Sequence, residues 1–257
     1  MFFGINSILD FRLAEGNKDN APLRDVLKGF ADPGSIFRRL ADQEKRALNR
    51  GEIGRYLVTF LDNHDKFWQP GRFGAGAPAD QVIAGIGYLL CALGTTCIYY
   101  GTEQGFQGAG NSDEDIREAM FDHSADSAPS LLNTECNIYK EIAKIASVAQ
   151  TTEPLRFGRM YFRQIASDGK QFGLPYGNTY TLAFSRVLYG REVLVAYNIS
   201  SSPRHDCVIV DSSLHKQGDT MKFLYGANGG VSVEPPAPDG SLFVRLDLAP
   251  QQFVILE

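Results

Sequence analysis

The apolar residues of this 257-residue chain keep a helical spacing in its first part and a strand spacing in its last, and the change falls near residue 152. A chain built that way alternates strands with helices and then turns to strands alone, so it predicts an α/β unit followed by an all-β unit. In the first unit, Ile5 to Leu13 reads as a short strand with a polar centre. Asn20 reads as the cap of a helix whose Leu23, Val26, Leu27 and Phe30 share one face. A second helix is expected from Ser35 to about Asn49, ended by Gly51. Tyr56 to Leu61 (YLVTFL) is a nearly continuous apolar run, as for a strand covered on both faces. Asp80 opens a helix bearing Val82, Ile83, Ile86, Leu89, Leu90 and Leu93, and Gly94 stops it. Thr95 to Tyr100 reads as a third strand, followed by a polar loop to Asn133 and a helix with Ile138, Ile142 and Ile145 in register.

No helical period is expected beyond Gln150. Tyr180–Val187 and Glu192–Ile199 read as strands joined by a turn at Tyr189-Gly190-Arg191. Cys207–Val210, Met221–Tyr225, Leu242–Leu248 and Phe253–Leu256 complete an antiparallel sandwich. Residues 1–152 and 153–257 are thus expected as two domains.

Composition narrows the partners. A net charge of −5 leaves no basic field for a phosphate backbone, so no nucleic-acid partner is expected. The longest helical apolar stretch, Val82 to Leu93, is too short to cross a bilayer, so no membrane partner is expected either. The N-terminus MFFGINSILDF lacks a basic leader region, which with four cysteines read as buried free thiols points to a cytoplasmic protein. No Cys-x-x-Cys pair or Cys/His spacing suggests a metal, and no cofactor is expected.

The segment that most suggests chemistry is Phe60-Leu61-Asp62-Asn63-His64-Asp65, at the end of the second strand. Barrel active sites lie at such strand ends. A carboxylate beside an imidazole there can bind sugar hydroxyls or stabilise a cationic transition state, although a bare His-Asp pair after a strand is more often a satisfied loop. Six residues together change that balance. The stretch resembles the motif closing the seventh barrel strand of α-amylase-type enzymes, glycoside hydrolase family 13. Ile8-Leu9-Asp10-Phe11 resembles the family's sixth-strand motif. Gly94 through Gln104 (GTTCIYYGTEQ) resembles its eighth strand and turn, with Thr96 where the family usually has proline. Arg117-Glu118-Ala119-Met120-Phe121-Asp122 resembles its Arg-x-x-Met-aromatic-Asp segment.

The resemblance implies a partial TIM barrel, strands 6–8, followed by the family's C-terminal β-domain, and a retaining enzyme acting on α-1,4-glucans such as starch, glycogen or maltodextrin. It implies that Asp65 is the third catalytic carboxylate, holding hydroxyls of the distorted sugar, and that His64 hydrogen-bonds the sugar beside the cleaved bond. The family's nucleophile sits in a Gly-x-Arg-x-Asp context after strand four and its acid/base follows strand five. Neither motif occurs here, since the chain reads as beginning at strand six. Retaining hydrolysis needs two carboxyl groups roughly 5–5.5 Å apart, so the chain alone is expected to be inactive. It would then be a portion of such an enzyme, a non-catalytic glucan-binding or protein-interaction module, or half of a split enzyme needing an N-terminal partner.

Other residues carry two readings each. Trp68 could stack on a glucose face or pack its loop, and Glu103 could line the cleft or pin the loop after the third strand. Arg72 and Phe73 are expected to brace the loop after Asp65. Asp113-Glu114-Asp115 fits a helix start better than a cation site. His123 is open, while His205 and His215 read as β-domain surface. The four glycines from Gly101 to Gly110 lack a following Lys-Ser/Thr, so they are expected to serve turns and close approach of backbone to substrate rather than phosphate binding.

Overall fold

The computed structural model describes residues 7–45, 56–65, 71–108, 110, 112–120 and 132–257. The first part holds β1 (Ile8–Leu9), α1 (Phe11–Ala14), α2 (Leu23–Leu27), α3 (Gly34–Lys45), β2 (Leu57–Thr59), α4 (Ala79–Cys91), β3 (Thr95–Thr96), α5 (Asp113–Ile116), α6 (Asn137–Thr151) and α7 (Glu153–Phe157). The second holds β4 (Arg159–Phe162), β5 (Ile165–Ala166), β6 (Thr181–Leu188), β7 (Arg191–Asn198), β8 (Arg204–Ile209), β9 (Thr220–Tyr225), β10 (Gly230–Ser232), β11 (Phe243–Leu248) and β12 (Phe253–Leu256). The architecture is therefore a small parallel α/β sheet followed by antiparallel sheets.

The parallel sheet runs in the order β1-β2-β3, with Leu9 opposite Val58 and Val58 opposite Thr95. Its strands are shorter than the apolar runs suggest, because polar side chains redirect the backbone. Asp10 ends β1 and caps α1, accepting from the Leu13 N–H at 3.1 Å, so a helical turn begins where the sequence reads as strand. Asn20 caps nothing. It bridges to Asn17, α2 starts after Pro22, and Gly29 at φ +73° turns the chain so that Phe30 faces solvent at 74% exposure. Of Thr95–Tyr100, only Thr95 and Thr96 pair as strand. The expected helix end near Asn49 lies outside the described residues. Helix also continues past Gln150: α6 reaches Thr151, and α7 adds a further turn with Pro154 near its start, where a missing N–H costs nothing.

The antiparallel part comprises a six-stranded sheet, β10-β9-β12-β7-β6-β4, and a three-stranded one, β11-β8-β5. Strict alternation gives the larger sheet two buried faces. Leu182, Phe184, Val193, Val195, Tyr197, Phe253 and Ile255 join an apolar cluster with α2, α4 and α6. Ala183, Leu194, Ala196, Val254 and Leu256 join a second cluster with Val208, Val244 and Leu246 of the smaller sheet. The β6–β7 hairpin turns through Tyr189 and Gly190, both at positive φ as a two-residue turn between twisted strands requires.

Helix α4 joins the two parts and is buried almost all round, from Gln81 through Leu89. Two interior glycines, unfavourable in a helix by about 1 kcal/mol each relative to alanine, make room for aromatic rings. A Cβ on Gly85 would meet the Phe73 ring at 2.4 Å, and one on Gly87 the Phe253 ring at 2.9 Å. The C-terminal carbonyls of α4 are met by Arg186 of β6, which donates to Cys91 O at 2.8 Å and Ala92 O at 2.7 Å and also binds the Gly158 carbonyl. A cation there complements the helix dipole as well as the bare carbonyls. Cys91 and Cys207 are buried free thiols as expected, but Cys97 is exposed and Cys136 half-buried, since the segment after β3 leaves the sheet at once.

Candidate active site

Where the chain leaves β2, Phe60 and Leu61 remain buried and the next four residues turn toward the strand ends. Asn63 sets that turn, its side-chain oxygen accepting from the Asp65 N–H at 2.7 Å. Asp62 points inward instead. Its carboxylate accepts from the Phe73 N–H at 2.9 Å and from the Thr102 hydroxyl at 3.0 Å, tying together the segments that follow β2 and β3. Burial pushes the Asp62 carboxyl up, and these two bonds with the nearby Arg24 and Arg72 charges offset the rise only in part. Because β2 and β3 are parallel, His64, Asp65 and the segment from Gly101 lie at the same edge of the sheet.

Asp65 and His64 are turned outward. The imidazole is two-thirds exposed and its Nε2 lies 3.3 Å from Asp65 Oδ1. Arg117, just beyond α5, closes the group from the other side. Its Nε donates to the His64 carbonyl at 2.9 Å, and its Nη2 lies 3.3 Å from the same Asp65 oxygen. A cleft beside this cluster is lined by Glu15, Arg24, Asp62, Asn63 and Asp65, with Ile116 among its apolar residues. Burial raises the Glu15 carboxyl, a hydrogen bond from Asn63 lowers it, and the Asp65 charge raises it again. Arg24 is held below its ordinary value by burial, opposed by the Asp62 and Asp25 charges, while donating to the carbonyls of Gly71 and Arg72. The outward groups thus offer one carboxylate, one imidazole and one guanidinium together, a set that can both donate to and accept from hydroxyl groups.

The remaining sequence candidates fall around this cluster. Glu103 occupies a 3-10 turn, Thr102–Gln104, beside the Asp62–Thr102 bond; it is half-buried, does not line the cleft, and its carbonyl accepts from the Cys136 thiol at 3.7 Å. Trp68 and His123 lie outside the described residues. Asp113, Glu114 and Asp115 form the first turn of α5, where Asp115 accepts from the Ser112 N–H and hydroxyl. His205 is exposed and pairs with Asp247 at 2.6 Å. His215 departs from the surface reading: it is mostly buried and lies 3.0 Å from the fully buried Glu192. The glycine-rich loop serves close approach, but to protein. A Cβ on Gly101 would strike the Phe106 ring at 2.4 Å, and one on Gly108 the Arg72 side chain at 2.7 Å.

Three participants were missed from sequence. Arg117 stood inside a quoted motif, yet nothing in its spacing showed that it reaches back to Asp65. Glu15 was hidden because a strand was expected through Leu13, whereas the helical turn after Asp10 brings residue 15 to the cleft. Arg24 sits on the buried side of α2, where an apolar residue is the usual expectation.

No family model matches the chain. Relatives from the α-amylase family nevertheless cover most of it. An α-amylase of Streptomyces lividans is 28% identical over 255 aligned positions, spanning 88% of this chain and 25% of its own length. A cyclomaltodextrin glucanotransferase of Thermoanaerobacterium thermosulfurigenes is 30% identical over 196, spanning 76% of this chain and 23% of its own length. Among solved structures, the α-amylase of Geobacillus thermoleovorans in complex with acarbose superposes with a TM-score of 0.62 at 21% identity, over 91% of this chain and 46% of that one. The chain therefore spans about a quarter of these curated relatives and under half of that solved structure. It is related to α-amylases and cyclomaltodextrin glucanotransferases and shares their fold.

Proposed function

We propose that this chain is the part of an α-amylase-type glycoside hydrolase that carries barrel strands six to eight, residues 1–152, and the C-terminal β-domain, residues 153–257, and that its cleft contacts an α-1,4-glucan. The observation that carries this reading is the outward-facing Asp65, set at the C-terminal end of a parallel strand and flanked by His64 and Arg117. In this reading Asp65 accepts hydrogen bonds from hydroxyls of the sugar at the reacting position and stabilises positive charge developing at its anomeric carbon. His64 donates to a neighbouring hydroxyl.

Asp65 can favour a transition state only while a nucleophile and an acid create the charge it stabilises, and groups that act as a unit lose nearly everything when part of the unit is missing. The sequence contains no Gly-x-Arg-x-Asp segment to supply the nucleophile. The chain alone therefore binds glucan weakly and releases no reducing ends from maltoheptaose. Turnover by the wild-type chain that disappears in Asp65→Asn would contradict this and show a complete catalytic set.

A split enzyme, in which a partner supplies the remaining β/α units, is supported by β1. Among the described residues it pairs only with β2, and Ile8 and Leu9 are 54% and 50% exposed at the edge of the sheet. Apolar side chains at a strand edge suit another strand.

A further inference from the structure

We propose that Arg72, which does not line the cleft, is a positioning residue that holds Arg117 against Asp65. Arg72 is completely buried. Its Nε lies 2.9 Å from a Glu118 carboxylate oxygen, and Nη1 donates to the Tyr100 carbonyl. The guanidinium lies 4.5 Å from the ring centre of Tyr99, 4.8 Å from that of Tyr100 and 5.2 Å from that of Phe106. A planar, weakly hydrated cation suits such a cage; an ammonium ion does not.

The cage reaches both neighbours of Arg117. The Tyr99 hydroxyl donates to the Ile116 carbonyl at 3.1 Å, and the Tyr100 hydroxyl donates to the Glu118 carbonyl at 2.9 Å. Glu118 is held a second time through its carboxylate by Arg72. Backbone is thereby fixed on either side of Arg117, whose own side chain is about half exposed. Fixing the backbone at its base limits the positions from which Arg117 reaches Asp65 and the His64 carbonyl. Gly108 completes the arrangement, since any side chain there would displace both Arg72 and Ile116. Charge alternates outward from the core, positive at Arg72, negative at Glu118, positive at Arg117 and negative at Asp65. A purely structural brace would need only the first pair; the two tyrosine hydroxyls aimed at the carbonyls flanking Arg117 are what extend it to the site.

The test uses the full chain and two readouts. Arg72→Lys puts an ammonium ion in a fully buried cage and puts folding itself at risk, so Glu118→Gln and Tyr100→Phe, both at partly exposed positions, carry the experiment. In wild type the Arg117 Nε–H, bonded to the His64 carbonyl at 2.9 Å, is expected to exchange with water more slowly than a free guanidinium, as ¹⁵N NMR can follow. Exchange is expected to quicken about tenfold in each variant, the equivalent of losing one hydrogen bond, with thermal unfolding little changed. The Kd for maltoheptaose is expected to weaken about threefold to tenfold in both. Unchanged Arg117 exchange in both variants would overturn the proposal. The binding readout rests on the glucan reading: if wild type binds no maltoheptaose that reading fails, while the exchange readout still decides the role of Arg72.

Discussion

Two buried carboxylates, one in each part of the molecule, have opposite fates. Asp62 lies between the parallel strands and the cleft, and burial pushes it up despite two hydrogen bonds and two nearby arginines. Glu192 lies in β7 of the antiparallel part. Burial would raise it too, but the His215 imidazole, the Arg163 guanidinium, the Ser185 hydroxyl and the Asp211 N–H outweigh that and hold it at about 2. Around Glu192, Ser185 of β6 and Arg163, Asp211 and His215 from the segments between strands converge on one carboxylate. Around Asp62 strands of two or three residues leave the work to loops, whose charges are spread over a cleft. Glu192 is thereby held charged by its partners, whereas Asp62 beside the cleft is not held charged to the same degree.

Replacing Arg186 should break the comparison most sharply, because this buried charge binds carbonyls of both parts. Arg186→Leu leaves the carbonyls of Cys91, Ala92 and Gly158 without their cation, and about 3–5 kcal/mol of stability is expected to be lost. Urea unfolding measures it; a loss below about 1 kcal/mol would mean that water replaces the side chain freely.

The two carboxylates predict opposite slopes with pH. Glu192 has a folded pKa below its unfolded value, so its contribution is present above pH 4.5 and is lost as pH falls toward 2. The shift corresponds to about 3 kcal/mol, and Glu192→Gln should remove that acid-side loss. Asp62 has a raised folded pKa, so its contribution is present at low pH and falls as pH rises through that value. Asp62→Asn should therefore flatten the higher-pH side instead. Unfolding curves at a series of pH values check both signs, and equal slopes in the two variants would erase the distinction.

A smaller effect tests how tightly α4 is seated. Gly85→Ala gains helix propensity, yet its Cβ would sit 2.4 Å from the Phe73 ring, so the variant is expected to lose about 1 kcal/mol. Gly87→Ala, with ring atoms at 2.9–3.1 Å, should lose less. Thermal unfolding of the pair gives the order, and its reversal would place the tighter contact on the sandwich side.

Elements with a long period were legible in the sequence. The apolar faces of α4 and α6 and the strands Tyr180–Val187 and Glu192–Ile199 follow from side-chain alternation, because each must bury a face. Short elements were not. Asp10 and Pro22 decide where α1 and α2 begin, and neither decision has a period to reveal it. In the site, His64 and Asp65 were visible as neighbours in sequence at a strand end. Arg117 and Glu15 reach them across 52 and 50 positions, and only tertiary folding brings such residues together. His215 was misread because its partner Glu192 lies on β7, distant in sequence, and is itself buried.

The central claim, that the Asp65 cluster meets an α-glucan, is tested most directly by titrating the chain with maltoheptaose while following the His64 ring resonances by NMR. The account predicts a saturable shift at His64 with a Kd on the order of millimolar, weakened about tenfold or abolished in Asp65→Asn. A His64 signal that stays still while the glucan binds elsewhere, or binding that Asp65→Asn leaves untouched, would contradict it.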